Sequence, residues 1–540
     1  MPTLNWIGKD KVVSHHQDVP YRVLDRKYTF GDEPNSGNMI IHGDNLEALK
    51  ALLPEYEGKI KCIYIDPPYN TGNENWVYND NVNDPHIRKW LGKVVGSEVD
   101  DLTRHDKWLC MMYPRLVLLQ KLLREDGVIF ISIDDNELVY LKMICDEIFG
   151  KNNFVDYFSW NKTETPANLS HRTKKAIEYI VCYVKKQGPT KFKGCTKSSS
   201  SNNGLMNQSN SVHELIFPAN KIDTKLKNGI YKAGLYGTSA YEIELLEDTE
   251  VRNGFFVKPV KLKGRFKWGQ DNLDREIAKG TIVSIKTKAF SPSYDKLDYE
   301  PEVPWNLINK KFGVDTNESA SDLVTRIFGQ KVFDFPKPPS LIEYIANFIC
   351  ECNDIILDSF AGSGTTAHAV LNLNKQDGGN RKFILCEMCD YAENITAERV
   401  RRVMKGYGDG KNAVEGTGGS FDFYELGETI FDPATGNLND NADTEQIRRY
   451  VWFSETNSAY IKPSADAHPY LLGTYQHNNY YFYYIKGEET CLDWDFLNTF
   501  TQNDNAEMYI IYADRCVLTE QEMTKFNIVF KKIPRDIKRV

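Results

Sequence analysis

The feature that most constrains the fold is an apolar run, Ile60 to Ile65, that ends on an acid and two prolines. A short run of this composition, bounded by a turn signal, predicts a buried β-strand. Pro67 and Pro68 then fix the backbone φ and remove two donors, so carbonyl oxygens near the strand end are left to accept from a ligand. Asp66 precedes the prolines and Tyr69 follows them. An acid, a free carbonyl and an aromatic ring within four residues predict a site for a planar molecule that carries an amino group.

Adenine is one molecule of this kind. Its exocyclic N6 is a poor nucleophile because the ring delocalises the nitrogen lone pair. If Asp66 accepts one N6 hydrogen and the Pro67 carbonyl the other, the nitrogen moves toward tetrahedral geometry and its lone pair is freed. Tyr69 can stack on a base that has left the duplex, since chemistry on a paired base requires flipping. The stretch alone is equally compatible with an ordinary strand-to-turn junction.

Predicted strands and helices alternate around this stretch. Residues 38–46 predict a short strand, a Gly-Asp turn and a helix start, which Asp44 or Asn45 can cap. The strand–helix–strand order is typical of a parallel sheet. Further helices and strands are predicted up to residue 184, so residues 38–187 are expected to form one α/β half.

A polar loop is predicted directly after Tyr69, and it contains Trp76 and Tyr78. Loops at the carboxyl ends of strands carry function in sheets of this type. Either ring can be a second stacking surface for a flipped base, and an internal anchor of the loop is an equally good interpretation.

A second motif near residue 360 has the strand–turn–helix pattern of a nucleotide-binding site. An apolar strand predicted over 355–357 runs into Asp358 and then into a turn. Gly362 and Gly364 in that turn let the backbone approach a ligand closely. The motif on its own is a weak signal, but it gains weight from the Asp66 stretch.

The residues around the turn favour one ligand. Glu387 ends the next predicted strand, where an acid can bond ribose hydroxyls. Thr366 and Ala367 stand where the pattern G-x-G-x-x-G has its third glycine, which disfavours a pyrophosphate. S-adenosylmethionine (SAM) has a ribose and a zwitterionic tail, and its amino-acid part can meet Thr365 and Thr366. One motif then supplies a methyl donor and the other an amine acceptor.

Composition shifts divide the chain into segments. A Ser/Asn-rich stretch begins near residue 198, and residues after 406 are rich in Gly, Asn and Asp, which is typical of loops and linkers. The predicted segments are an N-terminal arm (1–37), a catalytic half (38–187), an insert (188–330), a cofactor-binding half (331–405), a linker (406–446) and a C-terminal module (447–540).

The formal net charge of −9 argues weakly against a nucleic-acid partner, but binding needs only a local basic surface. The insert offers one, and a solvated lysine face is the alternative interpretation. Its basic residues alternate with aromatic ones and are Lys258, Lys261, Lys263, Arg265 and Lys267, with Phe255, Phe256, Phe266 and Trp268.

The sequence has no run of 18 or more apolar residues, and its N-terminus lacks a secretory signal, so a cytoplasmic protein without a membrane span is expected. Its 11 cysteines are scattered, which fits reduced thiols. The pairs Cys350/Cys352 and Cys386/Cys389 do not have zinc-site spacing, and no metal site is expected.

The two motifs carry a family resemblance. The chain resembles the β group of adenine-N6 DNA methyltransferases, which have D-P-P-Y and F-x-G-x-G motifs in this order. More closely, it resembles the modification (Mod) subunit of type III restriction–modification systems over residues 38–187 and 331–540. The supporting stretches are Gly43–Leu46, Tyr64–Gly72, Ile131–Asp135, Phe335–Pro338, Asp358–Thr366 and Arg381–Arg399, with Phe423–Gly427 and Tyr450–Trp452 near the C-terminus.

The resemblance implies an α/β fold: a circularly permuted SAM-dependent methyltransferase (Rossmann-like) sheet, an inserted target recognition domain and a small C-terminal module. It implies double-stranded DNA as substrate, a homodimer and an ATP-dependent restriction (Res) partner, although an orphan enzyme carries the same motifs. By resemblance, catalysis falls to Asp66, Pro67, Pro68 and Tyr69. SAM binding falls to Asp44, Lys337, Pro338, Asp358, Phe360, Gly362, Gly364, Thr365, Thr366 and Glu387.

Two other functions remain open from the sequence. A cytosine-N4 methyltransferase usually has Ser at the position of Asp66, which disfavours that activity here. A DNA-recognition subunit with a silent methyltransferase fold would not need intact motifs in both halves.

Overall fold

The fold was determined as a computed structural model. It describes residues 3–33, 35–71, 104–168, 172–188, 191–194, 203–296, 302–432, 434–458, 460–499 and 506–538. The chain forms two compact units, one of residues 1–192 with 305–540 and one of residues 193–304. Trp76 and Tyr78 lie outside the described residues.

A ten-stranded sheet organises the larger unit. Its strands, labelled in chain order, are β1 (Arg22–Phe30), β2 (Met39–His42), β3 (Ile60–Ile65), β4 (Leu123–Ile133), β5 (Phe154–Asn161), β6 (Ile177–Val184), β7 (Leu307–Ile308), β8 (Ile355–Asp358), β9 (Lys382–Glu387) and β10 (Phe421–Thr429). Their order across the sheet is β1-β10-β2-β9-β8-β3-β4-β6-β5-β7. Six consecutive strands, from β10 to β4, run parallel, and β1, β6 and β5 pair antiparallel.

The helices of the described residues are α1 (Lys9–Val12), α2 (His15–Asp18), α3 (Asn45–Tyr56), α4 (Arg104–Leu122), α5 (Leu138–Cys145), α6 (Gln270–Ala278), α7 (Asn317–Phe328), α8 (Pro339–Ala346), α9 (Thr365–Asp377), α10 (Glu398–Lys405), α11 (Thr444–Thr456), α12 (Trp494–Leu497) and α13 (Glu520–Lys525). Short 3-10 or π-helical turns lie at Asp146–Gly150, Lys151–Asn153, Lys310–Phe312, Asp390–Ala392, Glu393–Ala397 and Gly410–Asn412. None of these helices is both long and apolar enough to cross a membrane.

The hydrophobic core lies on both faces of the sheet. Side chains of β3 alternate between them: Ile63 and Ile65 pack with residues of α3 and α4, while Cys62 and Tyr64 pack with residues of α8 and α9. Every residue of β3 is buried. A strand covered by helices on both faces is apolar on both, which is why the pattern does not alternate; the one charged residue, Lys61, is buried and donates to Asp126 at 2.8 Å.

The structure corrects two predicted segments. The predicted arm (1–37) contains β1, and the predicted linker (406–446) contains β10, and these two strands pair antiparallel along one side of the sheet. Phe421 and Phe423 of β10 are buried. The strand was missed because a glycine-rich stretch precedes it, and β1 because charged residues of an edge strand hide its pattern.

The smaller unit is a β-rich body. A seven-stranded sheet has the order Gly229–Tyr231, Thr249–Arg252, Phe255–Phe256, Ile222–Asp223, Ile282–Ile285, Pro292–Asp295 and Asn203–Gly204. A four-stranded sheet has the order Gly234–Thr238, Tyr241–Leu245, Val260–Gly264 and His213–Phe217. The unit is shorter than the predicted insert (188–330), because Leu323 and Ile327 of α7 pack into the core of the larger unit.

The remaining strands belong to the larger unit near the C-terminus. A four-stranded sheet has the order Leu471–Tyr475, Asn478–Phe482, Met508–Ala513 and Ile528–Lys532. Two-stranded ladders join Gly406–Tyr407 to Val414–Glu415 and Cys491–Leu492 to Arg515–Cys516.

Candidate active site

Asp66 lies directly after β3, at the carboxyl edge of the parallel strands. Its side chain keeps 18% of its surface exposed, so a ligand can reach it. The Tyr69 hydroxyl donates to Asp66 Oδ1 at 2.8 Å, and the Lys337 ammonium donates to Oδ2 at 2.7 Å. Burial raises the pKa of Asp66 above its ordinary value, Lys337 opposes that shift, and the nearby Glu178 adds to it.

Glu178 of β6 completes a cluster of charged side chains around Asp66. The Tyr69 hydroxyl is 3.1 Å from Glu178 Oε2, and the Lys337 ammonium is 3.6 Å from the same oxygen. Lys162 donates to Glu178 Oε1 at 2.9 Å. Burial alone would raise the pKa of Glu178. The nearby charges of Lys337 and Lys162 outweigh this effect, so the pKa lies below its ordinary value. Two carboxylates and two ammonium groups therefore balance at this site.

The backbone after Asp66 is held by buried partners. The indole of Trp108 on α4 donates to the Pro68 carbonyl at 2.6 Å. Asn70 has a left-handed backbone (φ 57°), a conformation that asparagine tolerates better than most residues. Its amide donates to the Arg104 carbonyl at 3.1 Å and to Glu137, a carboxylate with no exposed surface. The turn that carries Tyr69 is thus fixed at both ends.

Asp358 ends β8, the strand next to β3. Leu357 pairs in parallel with Ile63, so Asp358 and Asp66 emerge at the same edge of the sheet. Asp358 Oδ1 accepts from the backbone N–H of Phe360 at 3.0 Å, and Oδ2 accepts from the Thr366 hydroxyl at 2.5 Å.

The environment of Asp358 is strongly unfavourable to its charge. Burial raises the pKa of Asp358 to about 7; the bonds from Thr366 and Phe360 oppose this shift, and the nearby charges of Asp66 and Glu387 reinforce it. Asp358, Asp66 and Glu387 lie at one edge of the sheet and their charges act on one another. Such a cluster of acids favours a cationic ligand.

The turn after Asp358 needs glycine. Gly362 and Gly364 both have a left-handed backbone, with φ 51° and 80°. A Cβ at Gly364 would lie 3.0 Å from the Thr396 carbonyl oxygen, so the turn passes against another backbone segment. The Thr396 hydroxyl also donates to the Gly362 carbonyl at 2.6 Å. These contacts press the turn into one conformation at the start of α9.

Glu387 ends β9 and braces the same turn. Its Oε2 accepts from the Gly362 N–H at 2.7 Å, and its Oε1 accepts from the Cys389 N–H at 3.0 Å. Burial raises the pKa of Glu387, and these two backbone donors oppose the shift. Each oxygen retains a lone-pair direction with which it can accept from a ligand hydroxyl.

A buried arginine lies beneath the turn. Arg399 on α10 has no exposed surface, and it donates to the Ser363 hydroxyl at 2.6 Å and to Thr365 Oγ1 at 2.9 Å. Thr365 in turn donates to the Lys337 carbonyl at 3.1 Å. Burial lowers the pKa of Arg399 to about 10, which leaves it charged at neutral pH.

Asp44 caps α3 by accepting from the Leu46 N–H at 2.8 Å, as the sequence predicts. The buried Arg115 donates to Asp44 at 3.1 Å and to the Asn45 amide oxygen at 2.5 Å. Asn45 donates to the Ser359 carbonyl at 2.9 Å. The start of α3 is thereby tied to the turn that follows β8.

Comparison with known proteins decides the family. The sequence model of the DNA methylase family, the N6/N4 methyltransferases, matches residues 60–398, more than half of the chain. The chain belongs to the DNA methylase family.

Individual members are similar over much of the chain. The Mod subunit of the type III restriction-modification enzyme StyLTI, from Salmonella typhimurium, is 32% identical over 415 residues, which cover 73% of this chain and 59% of the relative. The EcoP15I Mod subunit from Escherichia coli is 31% identical over 436 residues, 72% and 64% of the two chains. The type II methyltransferase M.KpnI from Klebsiella pneumoniae is 30% identical over 364 residues, 65% and 81%. This chain thus spans about three-fifths of the length of the two Mod subunits.

The methyltransferase family to which the chain belongs uses S-adenosylmethionine. The residues at the sheet edge fit it on two counts. Asp358 and Glu387 offer carboxylate oxygens to ribose hydroxyls and a negative surrounding to a sulfonium. A carboxylate at the end of the second strand is the usual partner of a ribose in folds of this kind.

The structure brings together most of the predicted site residues. Asp66 and Tyr69 lie in one cluster, and the predicted residues of 358–366 lie with Glu387 at the adjacent strand ends. Pro67 and Pro68 form the turn after β3, and Pro338 precedes α8. Lys337 contacts both groups, because its ammonium donates to Asp66 and its carbonyl oxygen accepts from the Thr365 hydroxyl beside the glycine turn.

Sequence analysis missed the residues that support these groups. They act across large sequence separations, and a lone Glu, Lys or Trp in a strand or helix gives no signal of its partner. The missed residues are Trp108, Lys162, Glu178, Asn45, Arg115, Glu137, Thr396 and Arg399.

Proposed function

We propose that this chain is the modification subunit of a type III restriction–modification system and methylates N6 of a flipped adenine in double-stranded DNA. The observation that carries the proposal is the placement of Asp66 beside the turn after Asp358, on adjacent parallel strands with a common edge. One strand end offers acceptors to an amino group, and the other offers a cofactor turn. Similarity to Mod subunits over about 70% of the chain favours this function.

The residues after β3 activate the amino group. Asp66 accepts one N6 hydrogen and the Pro67 carbonyl the other, which draws the nitrogen toward tetrahedral geometry. Tyr69 lies against the base, since a flipped base needs an aromatic face to replace its lost stacking. SAM, when bound, supplies a methyl group on a positively charged sulfur. The amino nitrogen gives up one proton, and the carboxylate of Asp66 is placed to receive it.

The residues after β8 and β9 position the cofactor. Glu387 accepts from the ribose hydroxyls, and the turn of Gly362 and Gly364 lies against the amino-acid part together with Thr365. Asp358 and Thr366 hold the turn from below through their mutual hydrogen bond. Phe360 is half-buried at the turn and offers an apolar contact to the cofactor. Asp44 is assigned to the adenosine end.

We also propose that the sheet is circularly permuted. The support is that β8, which carries the glycine turn, follows β3 in the chain by nearly 300 residues yet lies directly beside it. In this arrangement the cofactor-binding half follows the catalytic half in the chain, whereas in unpermuted methyltransferases it comes first. The binding edge lies where neighbouring strands come from distant parts of the chain, which is where sheets of this class bind ligands.

The unit of residues 193–304 is proposed as the target recognition domain. Lys263, Arg265 and Lys267 are exposed at alternate positions, the first in the strand Val260–Gly264 and the other two just after it. The aromatic residues among them have another role, because Phe266 and Trp268 are buried in the core of this unit. Double-stranded DNA is the partner that such an exposed basic stretch fits. A homodimer, a Res partner and a cytoplasmic location complete the proposal.

Transfer of labelled methyl groups tests the function. The protein is incubated with methyl-labelled SAM and double-stranded DNA, and the DNA is hydrolysed to nucleosides. Label in N6-methyladenine is expected. Label in N4-methylcytosine would mean that the enzyme is a cytosine-N4 methyltransferase. No label in DNA would mean that the chain is a DNA-recognition subunit with a silent methyltransferase fold. Long-read sequencing of host DNA with and without the protein then identifies the methylated sequence.

A further inference from the structure

Both carboxylate oxygens of Asp66 already accept a hydrogen bond before any base arrives. Its Oδ1 accepts from the Tyr69 hydroxyl at 2.8 Å, and its Oδ2 accepts from the Lys337 ammonium at 2.7 Å. An amino group that binds to Asp66 competes with both of these donors for the carboxylate, because only 18% of the Asp66 side chain is exposed. A donor displaced within a partly buried cluster needs a new acceptor, because an unpaired buried donor is costly.

Glu178 stands beside both of these donors. Its Oε2 lies 3.1 Å from the Tyr69 hydroxyl and 3.6 Å from the Lys337 ammonium. The other carboxylate oxygen is held at 2.9 Å by Lys162, which follows β5. Only 6% of the Glu178 side chain is exposed, so its position is set by these partners rather than by solvent. One fixed carboxylate can therefore accept both groups that leave Asp66.

We propose that Glu178 is a positioning residue that takes over the Tyr69 hydroxyl and the Lys337 ammonium when an amino group binds to Asp66. This inference rests on the proposed function, because it concerns how Asp66 becomes available to its substrate. Tyr69 stays hydrogen-bonded at its hydroxyl while its ring lies against the base. The Lys337 ammonium needs to move only a short way, because it already lies 3.6 Å from Glu178 Oε2. Both donors remain hydrogen-bonded throughout.

Charge supports the same arrangement. Two carboxylates and two ammonium groups balance, so shifting Lys337 from Asp66 toward Glu178 leaves the cluster neutral. Removal of the Glu178 charge makes Asp66 the sole carboxylate partner of Lys337 within the cluster and lowers the pKa of Asp66. The titratable groups that face Asp66 or Glu178 from the surrounding elements are Tyr64, Tyr69, Asp134, Lys162, Lys337 and Asp358.

The rate of methyl transfer by the Glu178→Gln variant tests the proposal, and Glu343→Gln is the matched control. Glu343 is also half-buried and accepts from Asn372 at 2.7 Å on α9, outside the cluster. For Glu178→Gln we expect kcat to fall at least tenfold, an unchanged Kd for SAM, and an acid limb of kcat/KM at lower pH than in wild type. Glu178→Asp keeps the charge and should restore the wild-type acid limb with part of kcat. Glu343→Gln should change none of these.

A readout without catalysis separates this inference from the proposed function. 3-Fluorotyrosine at position 69 gives a ¹⁹F resonance that reports protonation of Asp66, its hydrogen-bond partner. That titration should move to lower pH in Glu178→Gln. If wild type methylates no DNA, the function fails, and the ¹⁹F shift still decides whether Glu178 is coupled to Asp66. An unmoved titration, or a loss of kcat with an unchanged pH profile, would overturn the role of Glu178.

Discussion

Lys337 and Asp66 are 271 positions apart in the chain and 2.7 Å apart in the fold. The carbonyl oxygen of Lys337 also accepts a hydrogen bond from the Thr365 hydroxyl, at 3.1 Å. One residue thus ties the acid of the catalytic turn to the helix that starts at the glycine turn. Because these contacts join segments that are far apart in the chain, the geometry of each half of the site depends on the other half.

Asp66→Ala should reduce methyl transfer by about 10² to 10⁴-fold, the range that a positioned acid or base contributes. The variant removes one of the two proposed acceptors for the amino nitrogen and leaves the Pro67 carbonyl, while Asp358 and Glu387 stay in place. SAM binding should remain measurable by calorimetry. Transfer at the wild-type rate would remove Asp66 from the mechanism.

Asp135→Ala is the matched control for that loss. Asp135 is exposed and pairs with the exposed Lys175, at 2.7 Å. Exposed pairs of this kind contribute little to stability. The control should therefore transfer methyl groups at the wild-type rate, and a large loss here would mean that the assay reports general damage.

Gly364→Val should abolish SAM binding. Its Cβ would lie 3.0 Å from the Thr396 carbonyl oxygen, and the residue has φ 80°, a conformation that costs an L side chain about 1–2 kcal/mol. Gly378→Val separates strain from contact, because Gly378 ends the same helix at φ 71° with no atom within 4 Å of the added Cβ. We expect both variants to melt earlier and only Gly364→Val to lose SAM affinity in calorimetry. Equal SAM affinity in the two variants would place the cofactor elsewhere.

Local sequence predicted the parts of the site that a strand end determines. β3, β8 and β9 are buried runs that each end on an acid, and parallel neighbours bring their carboxyl ends to one edge. The D-P-P-Y and glycine turns were identifiable because proline and glycine each fix an uncommon backbone state. These signals lie within a few residues of the group they position.

Long-range partners were not predictable in the same way. Glu178 is an acid in an apolar strand, and its contact with Tyr69 depends on the sheet order and on a separation of 109 residues. β1 and β10 stabilise each other across nearly 400 positions, and each is too polar or too glycine-flanked to be identified alone. Pairing across such distances becomes visible only when the whole sheet is assembled.

Trp108→Phe should weaken the catalytic turn. The variant removes the donor to the Pro68 carbonyl, a 2.6 Å bond within the core, and an unsatisfied buried acceptor costs about 1–3 kcal/mol. We expect a lower denaturation midpoint and a several-fold lower kcat, because the position of Tyr69 depends on this turn.

Tyr450→Phe is the comparison for this variant. Tyr450 is also buried, and its hydroxyl donates to the Lys538 carbonyl at 3.1 Å, on elements that carry none of the site residues. It should lose stability in urea titration without a matching loss of kcat per folded molecule. If both variants lose kcat alike, the bond to Pro68 has no special role in catalysis.

Asp358→Asn should change how stability depends on pH. The pKa of Asp358 is raised from 3.8 to about 7, chiefly by burial, so the folded protein binds a proton that the unfolded chain releases. This group therefore stabilises the fold below pH 3.8, and that contribution falls as pH rises to 7, by about 4 kcal/mol in total. Asparagine keeps an acceptor for the Phe360 N–H and has no charge to bury. The melting temperature of the variant relative to wild type should rise between pH 5 and pH 7 and level off above pH 7. A difference that stays constant over this range would show that Asp358 is ionised throughout.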